Sequence, residues 1–107
     1  MEAVMENCDT KFALEIIQGK WCLRIIWELI KDEPIRFNEL QRRVTGVSAI
    51  ALSNELKRLQ KLGVVARRQY DSVPPQVDYR LTTIGRHLDQ ALFALGDWGH
   101  QVRDEHR

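Results

Sequence analysis

The sequence predicts a mainly α domain carrying one small β-hairpin. Apolar residues recur at helical spacing in five separate stretches between residues 10 and 103. Between the fourth and fifth lie two short runs with strand character, separated by residues 71–75 with their paired prolines. At 107 residues the chain suits a single domain, large enough for a core yet small enough to gain from a partner chain.

Asp9 can cap a first helix over residues 10–18, in which Phe12, Ala13, Ile16 and Ile17 share a face. Gly19 interrupts it. A second helix over residues 20–31 buries Trp21, Ile25, Ile26, Leu29 and Ile30 on a broad stripe, while Trp27 falls off that stripe and is left to pack on a separate element. Asp32-Glu33-Pro34 stops this helix, and Ile35-Arg36-Phe37 is short and extended. Asn38 then caps a third helix, with Gln41 as the reciprocal partner of a capping box and Leu40 and Val44 facing inward beside Phe37.

A tight turn at Thr45-Gly46 leads into the most informative stretch. Ala49, Leu52, Leu56 and Leu59 form one helical stripe, and Gly63 is placed to end the helix. Ser48 can cap its N-terminus while Val47 meets Leu52 as a hydrophobic staple, which fixes the angle of approach. The opposite side carries Ile50, Asn54, Lys57 and Lys61, flanked by Ser53 and Arg58, with no acid at its centre. A short helix, a glycine-containing turn and a two-faced helix follow one another in the order of a helix-turn-helix. Small and polar first turns suit base edges, and the later lysines suit phosphates. A surface helix with an ordinary basic face has the same pattern, and helical corners also serve purely structural ends.

Residues 64–70 and 76–81 read as strands; in the second, Val77, Tyr79 and Leu81 alternate with Gln76, Asp78 and Arg80. Residues 71–75 make a stiff projecting tip. Arg67 and Arg68 enter from the side of the two-faced helix, where they can reach phosphate or the minor groove, or else pair with Asp78 across the ladder. Thr82 or Thr83 caps a last helix reaching about Arg103, with Ile84, Leu88, Ala91, Leu92, Leu95, Trp98 and Val102 on one side. Phe93 points elsewhere, where it either meets another chain or stands in water.

The formal charge is +1, yet residues 36–68 hold eight bases against two acids while both flanks are net negative. An anionic partner would be drawn to the middle. Without a long apolar run or signal-like leader, a cytoplasmic protein with no membrane contact is expected. Cys8 and Cys22 lack CxxC spacing, and His87, His100 and His106 lack the spacing of metal ligands, so neither zinc nor a disulfide framework is expected. No nucleophile triad, phosphate loop or paired carboxylates emerge, which argues against an enzyme and against a bound cofactor.

Several of these residues together carry a resemblance. Gly19-Lys20-Trp21, Arg36-Phe37 with Glu39-Leu40, Val47-Ser48, Leu52, Leu56 with Leu59, Gly63, Val73-Pro74-Pro75 with Val77-Asp78-Tyr79, Leu81-Thr82, Gly85 and Trp98 run in the order seen in HxlR-type regulators. On them the chain resembles the HxlR-type winged helix-turn-helix transcriptional regulators of bacteria and archaea. The resemblance implies a homodimer held by its N- and C-terminal helices, to which Phe12, Phe93 and Trp98 would contribute. It also implies binding to double-stranded operator DNA, with the recognition helix in the major groove and a wing beside the backbone. Carried onto this sequence, the base-reading face would be Ser48, Ala49, Ile50, Ser53, Asn54 and Lys57. Arg67 and Arg68 would serve the wing, and Arg36, Arg42 and Arg43 would lie near the backbone. Asn54 can pair with adenine, Lys57 with guanine or phosphate, and Ile50 with a thymine methyl. Cys8 matches the position of a redox- or electrophile-sensing cysteine in several members, although their usual Cys-Pro is Cys8-Asp9 here; the effector is unknown. The competing reading is a winged-helix module that binds another protein rather than DNA.

Overall fold

In the computed structural model, which describes residues 8–106, the elements run α1 (Cys8–Ile17), α2 (Cys22–Lys31), β1 (Ile35–Arg36), α3 (Phe37–Arg43), α4 (Ala49–Lys61), β2 (Val65–Tyr70), β3 (Gln76–Leu81), α5 (Thr83–Arg86) and α6 (Leu88–Glu105). The core forms where α2, α3 and α4 bring their stripes together against the sheet. Cys22, Ile25, Ile26 and Leu29 of α2 meet Leu40 of α3 and Leu52, Leu56 and Leu59 of α4. Ile35, Val65, Tyr79 and Leu81 close it from the sheet side. Burying each such side chain contributes roughly 1.5–3 kcal/mol.

The sheet is fuller than the expected hairpin. It has three antiparallel strands in the order β1-β3-β2. The short extended run after Pro34 pairs Ile35 with Tyr79 and Arg36 with Asp78. This third strand fills the open edge of β3 and makes it the central strand, and Asp78, which alternation alone puts in water, is 4% exposed. Arg80 lies 3.5 Å from its carboxylate.

Two expected caps are displaced. α3 begins at Phe37 with Arg36 in the capping position and no side-chain cap bond, because the strand hands the chain directly into the helix. Asn38 therefore sits inside the first turn, and Gln41 Nε2 donates instead to the Val47 carbonyl oxygen at 3.5 Å. Asp9 likewise lies within α1, whose first turn it occupies. Ser48 does cap α4, its Oγ accepting from the Ala51 amide at 3.0 Å. Thr82 caps α5 through the Gly85 amide at 3.0 Å, while its hydroxyl donates to the Gly63 carbonyl oxygen at 2.6 Å. Gly85 is glycine for want of space, since a Cβ there would stand 2.1 Å from the Val64 carbonyl oxygen.

The two terminal helices behave differently from the rest. Neither α1 nor α6 buries a residue. Leu88 and Leu92 rest on the core, whereas Phe12, Leu95, Trp98 and Val102 are exposed. The two off-stripe aromatics find each other: Trp27 and Phe93 meet edge to face at 6.1 Å, though Phe93 remains 57% exposed. The radius of gyration is 15.8 Å, against about 13 Å for a ball-like chain of this length. The last expected helix is divided at His87 into α5 and α6.

Candidate nucleic-acid interface

The outer face of α4 is built by what lies under it. Leu52, Leu56 and Leu59 are fully buried, which fixes the helix's rotation and turns Ile50, Asn54, Lys57 and Lys61 to solvent. Ile50 is 77% exposed, a large apolar side chain held outward beside polar neighbours. Ala49 is exposed too, off the buried stripe that the spacing gave it, and Ser53 is half-buried. Ser48 spends its oxygen on the Ala51 amide and keeps its hydroxyl hydrogen available.

The wing separates two arginines that the sequence placed together. Register sets Arg67 opposite Tyr79 and Arg68 opposite Asp78, so the pair emerges on opposite faces of the sheet. Arg67 takes the face shared with Tyr79, whose ring meets Phe37 at 6.4 Å. It lines a single cleft with Ser53, Lys57 and Gln60 of α4, and its Nη2 donates to Gln69 Oε1 at 3.3 Å. Arg68 takes the far face, over the Tyr70 ring at 4.7 Å, a cation–π arrangement. Arg36, opposite Asp78 on the other flank, belongs to that far face as well. The expectation that both wing arginines enter beside the two-faced helix therefore holds for Arg67 alone.

Charge in the middle third is unevenly available. Arg42 and Arg43 both bind Glu39, and Arg43 Nη2 also reaches Asp32 Oδ2 at 3.0 Å. Arg58 turns back to Glu55. Among the described residues, Lys57, Lys61 and Arg36 take part in no ion pair. An anion approaching α4 thus meets Lys57 and Lys61 from the helix and Arg67 from the wing. Gln60, which the sequence reading passed over, lines the same cleft as Lys57 and Arg67; its position three residues after Lys57 was the available signal.

Cys8 is the first residue of α1 and exposed, while Cys22 is buried. Glu6, two residues before Cys8 in the sequence, lies outside the described residues. Phe12 and Trp98 are 55% and 61% exposed, on separate terminal helices. Among the described residues no cluster of three potential metal ligands occurs, and no helix is long and apolar enough to cross a membrane.

The arrangement has close counterparts. The description HxlR-like helix-turn-helix matches residues 16–107. An uncharacterized HTH-type transcriptional regulator of Halalkalibacterium halodurans is 43% identical over 93 residues, spanning 85% of this chain and 82% of that protein. A putative transcriptional regulator of the MarR family from Enterococcus faecalis V583 superposes with a TM-score of 0.86 at 33% identity, covering 94% of this chain and 90% of that one. The redox regulator HypR in its reduced form gives a TM-score of 0.81 at 34% identity, covering 90% and 94%. With a capped, outward-facing α4, a three-stranded wing and a match over most of its length, this chain belongs to the HxlR-like helix-turn-helix family of transcriptional regulators.

Proposed function

We propose that the protein is a sequence-specific transcriptional regulator that binds operator DNA as a homodimer, with α4 in the major groove and the wing along the backbone. The observation that carries this reading is the outer face of α4. Ile50, Asn54 and Lys57 are exposed there, Lys57 without an ion pair, beside a cleft that adds Arg67. Asn54 and Ile50 have the donors, acceptors and apolar surface that distinguish base pairs, and Lys57 and Arg67 meet the phosphates or a guanine edge. Ser48, Ala49 and Ser53 flank that face; Arg36, Arg42, Arg43 and Arg68 add positive potential around it at longer range. Phe12, Phe93 and Trp98, exposed on helices that bury nothing, supply the contact between two copies. The partners are thus duplex DNA and a second copy of the chain, in the cytoplasm.

Exposed Cys8 heads the bare helix α1, and HypR, a redox regulator, shares the fold. On this reading an oxidant or electrophile that modifies Cys8 is the effector that alters DNA affinity.

Titrating the protein against the promoter region next to its own gene tests the reading. Two half-sites about 34 Å apart are expected, with affinity falling steeply as salt rises. Lys57→Ala should lower the salt slope by about one if it holds a phosphate, or relax base preference if it reads a base. Binding no tighter than to random duplex sinks the proposal, and salt-insensitive binding of another protein would favour an interaction module. Diamide should change affinity in the wild type and leave Cys8→Ser unaffected; equal responses remove Cys8 from the function.

A further inference from the structure

Arg58 lies where three helices meet. Its Nη2 donates to the Ile16 carbonyl oxygen at 2.7 Å, and its Nε and Nη2 donate to Glu55 Oε1 and Oε2 at 3.1 and 2.6 Å. Ile16 belongs to the last turn of α1, where carbonyls lack helical partners and form the negative end of the helix dipole, so a guanidinium is well placed there. Glu55 precedes Arg58 by one turn of α4, and its side chain is 15% exposed; the forked bond to it is charge-assisted and partly shielded from water. Cys22, at the head of α2, is fully buried beside this pair. Burial first, and Glu55 second, push its thiol up to about 11.

Burial does not fasten α1 along its length. The helix buries no residue, and its half-buried apolar side chains are Ile16 and Ile17 at its end, next to the carbonyl that Arg58 holds. Moving α1 therefore either breaks the Arg58 bond or pulls on Arg58. That residue adjoins Lys57 and stands one turn beyond Asn54 on the same rigid helix.

We propose that Arg58 is a positioning residue, joining the placement of α1 to the tilt of α4 through the Ile16 carbonyl and Glu55. The proposal rests on α4 being the DNA-reading helix. Coupling of this kind is reciprocal: DNA held by α4 fastens α1, and whatever shifts α1 loosens the grip of α4.

The test uses the full chain as wild type, Arg58→Gln and Arg58→Lys, with a duplex from the promoter region beside its own gene. Hydrogen exchange of the α1 amides is followed with and without duplex, alongside duplex affinity and the rate at which a disulfide reagent labels Cys22. In the wild type the duplex should slow exchange in α1. Arg58→Gln should speed Cys22 labelling, weaken duplex binding about tenfold and abolish the protection of α1 by duplex. Arg58→Lys keeps the charge but cannot hold Glu55 and Ile16 together, and should fall between. Loss of protection is the decisive readout, because a side chain that merely supported the fold would lower stability without uncoupling the two sites. Undiminished protection and affinity in Arg58→Gln overturn the proposal; if that variant is unfolded by circular dichroism, the same result in Arg58→Lys overturns it. A wild type that holds this duplex no better than random DNA overturns the DNA reading itself, and this inference with it.

Discussion

Helices α4 and α6 carry the same kind of sequence and reach opposite ends. Both place leucines along one side at helical spacing. In α4 those leucines are enclosed by α2, α3 and the sheet, and Leu52, Leu56 and Leu59 are all but inaccessible. In the longer α6, only the N-terminal positions Leu88 and Leu92 reach the core, and Leu95, Trp98 and Val102 stand in water. An apolar stripe thus states what a helix can bury but not what will cover it. In α4 the covering is the chain itself; in α6 the stripe beyond Leu92 stays exposed, and the pairing of Trp27 with Phe93 lies off it.

The largest expected effect tests this contrast directly. Leu56→Ala should cost about 3 kcal/mol, since it leaves a cavity in a core already closed on all sides. Leu95→Ala, measured at dilutions where the chain is monomeric, should cost no more than about 0.5 kcal/mol. Urea denaturation of the two variants gives the comparison, and equal losses would mean that α6 is covered within the single chain.

A smaller effect is expected on α6 alone. Phe93→Asp replaces a half-exposed ring with a charge on the surface proposed to meet a second copy. Self-association in sedimentation should weaken about tenfold, roughly 1.4 kcal/mol, while the monomer's unfolding loses only the edge contact with Trp27, about 1 kcal/mol at most. An unaltered association constant would place the contact between copies on some other surface.

The sequence discloses local periodicity well and tertiary contacts poorly, and the residues show why. Leu52, Leu56 and Leu59 announce a buried stripe because helical period alone decides their side. Ser48 announces a cap because the bond it makes is three residues away. Asn38 misleads for the complementary reason: its capping pattern is intact, but the strand in which Arg36 pairs with Asp78 hands over to the helix at Phe37, two residues earlier than a cap at Asn38 allows. Arg67 and Arg68 could not be assigned to faces before the register was known, since a one-residue slip exchanges them. Asp78 is buried on a strand made central by a third strand of two residues, too short to carry a pattern. The contact from Arg58 to the Ile16 carbonyl spans 42 positions and engages a main-chain atom, which no side-chain identity reports.

The smallest effect concerns the first turn of α4, where folding and recognition share one residue. Ser48→Ala removes the bond to the Ala51 amide and should cost about 1 kcal/mol of stability. Because the frayed turn would contain Ala49 and Ile50, duplex binding should weaken as well, so this variant alone leaves the two roles mixed. Ser48→Asp separates them. Aspartate caps as well as serine and favours the positive end of the helix dipole, so stability should return to the wild-type value. The same carboxylate would face phosphates in the proposed complex, so duplex affinity should fall below that of Ser48→Ala, most strongly at low salt. If Ser48→Asp bound the duplex as tightly as the wild type, the first turn of α4 would lie outside the interface, and base reading would have to begin further along the helix.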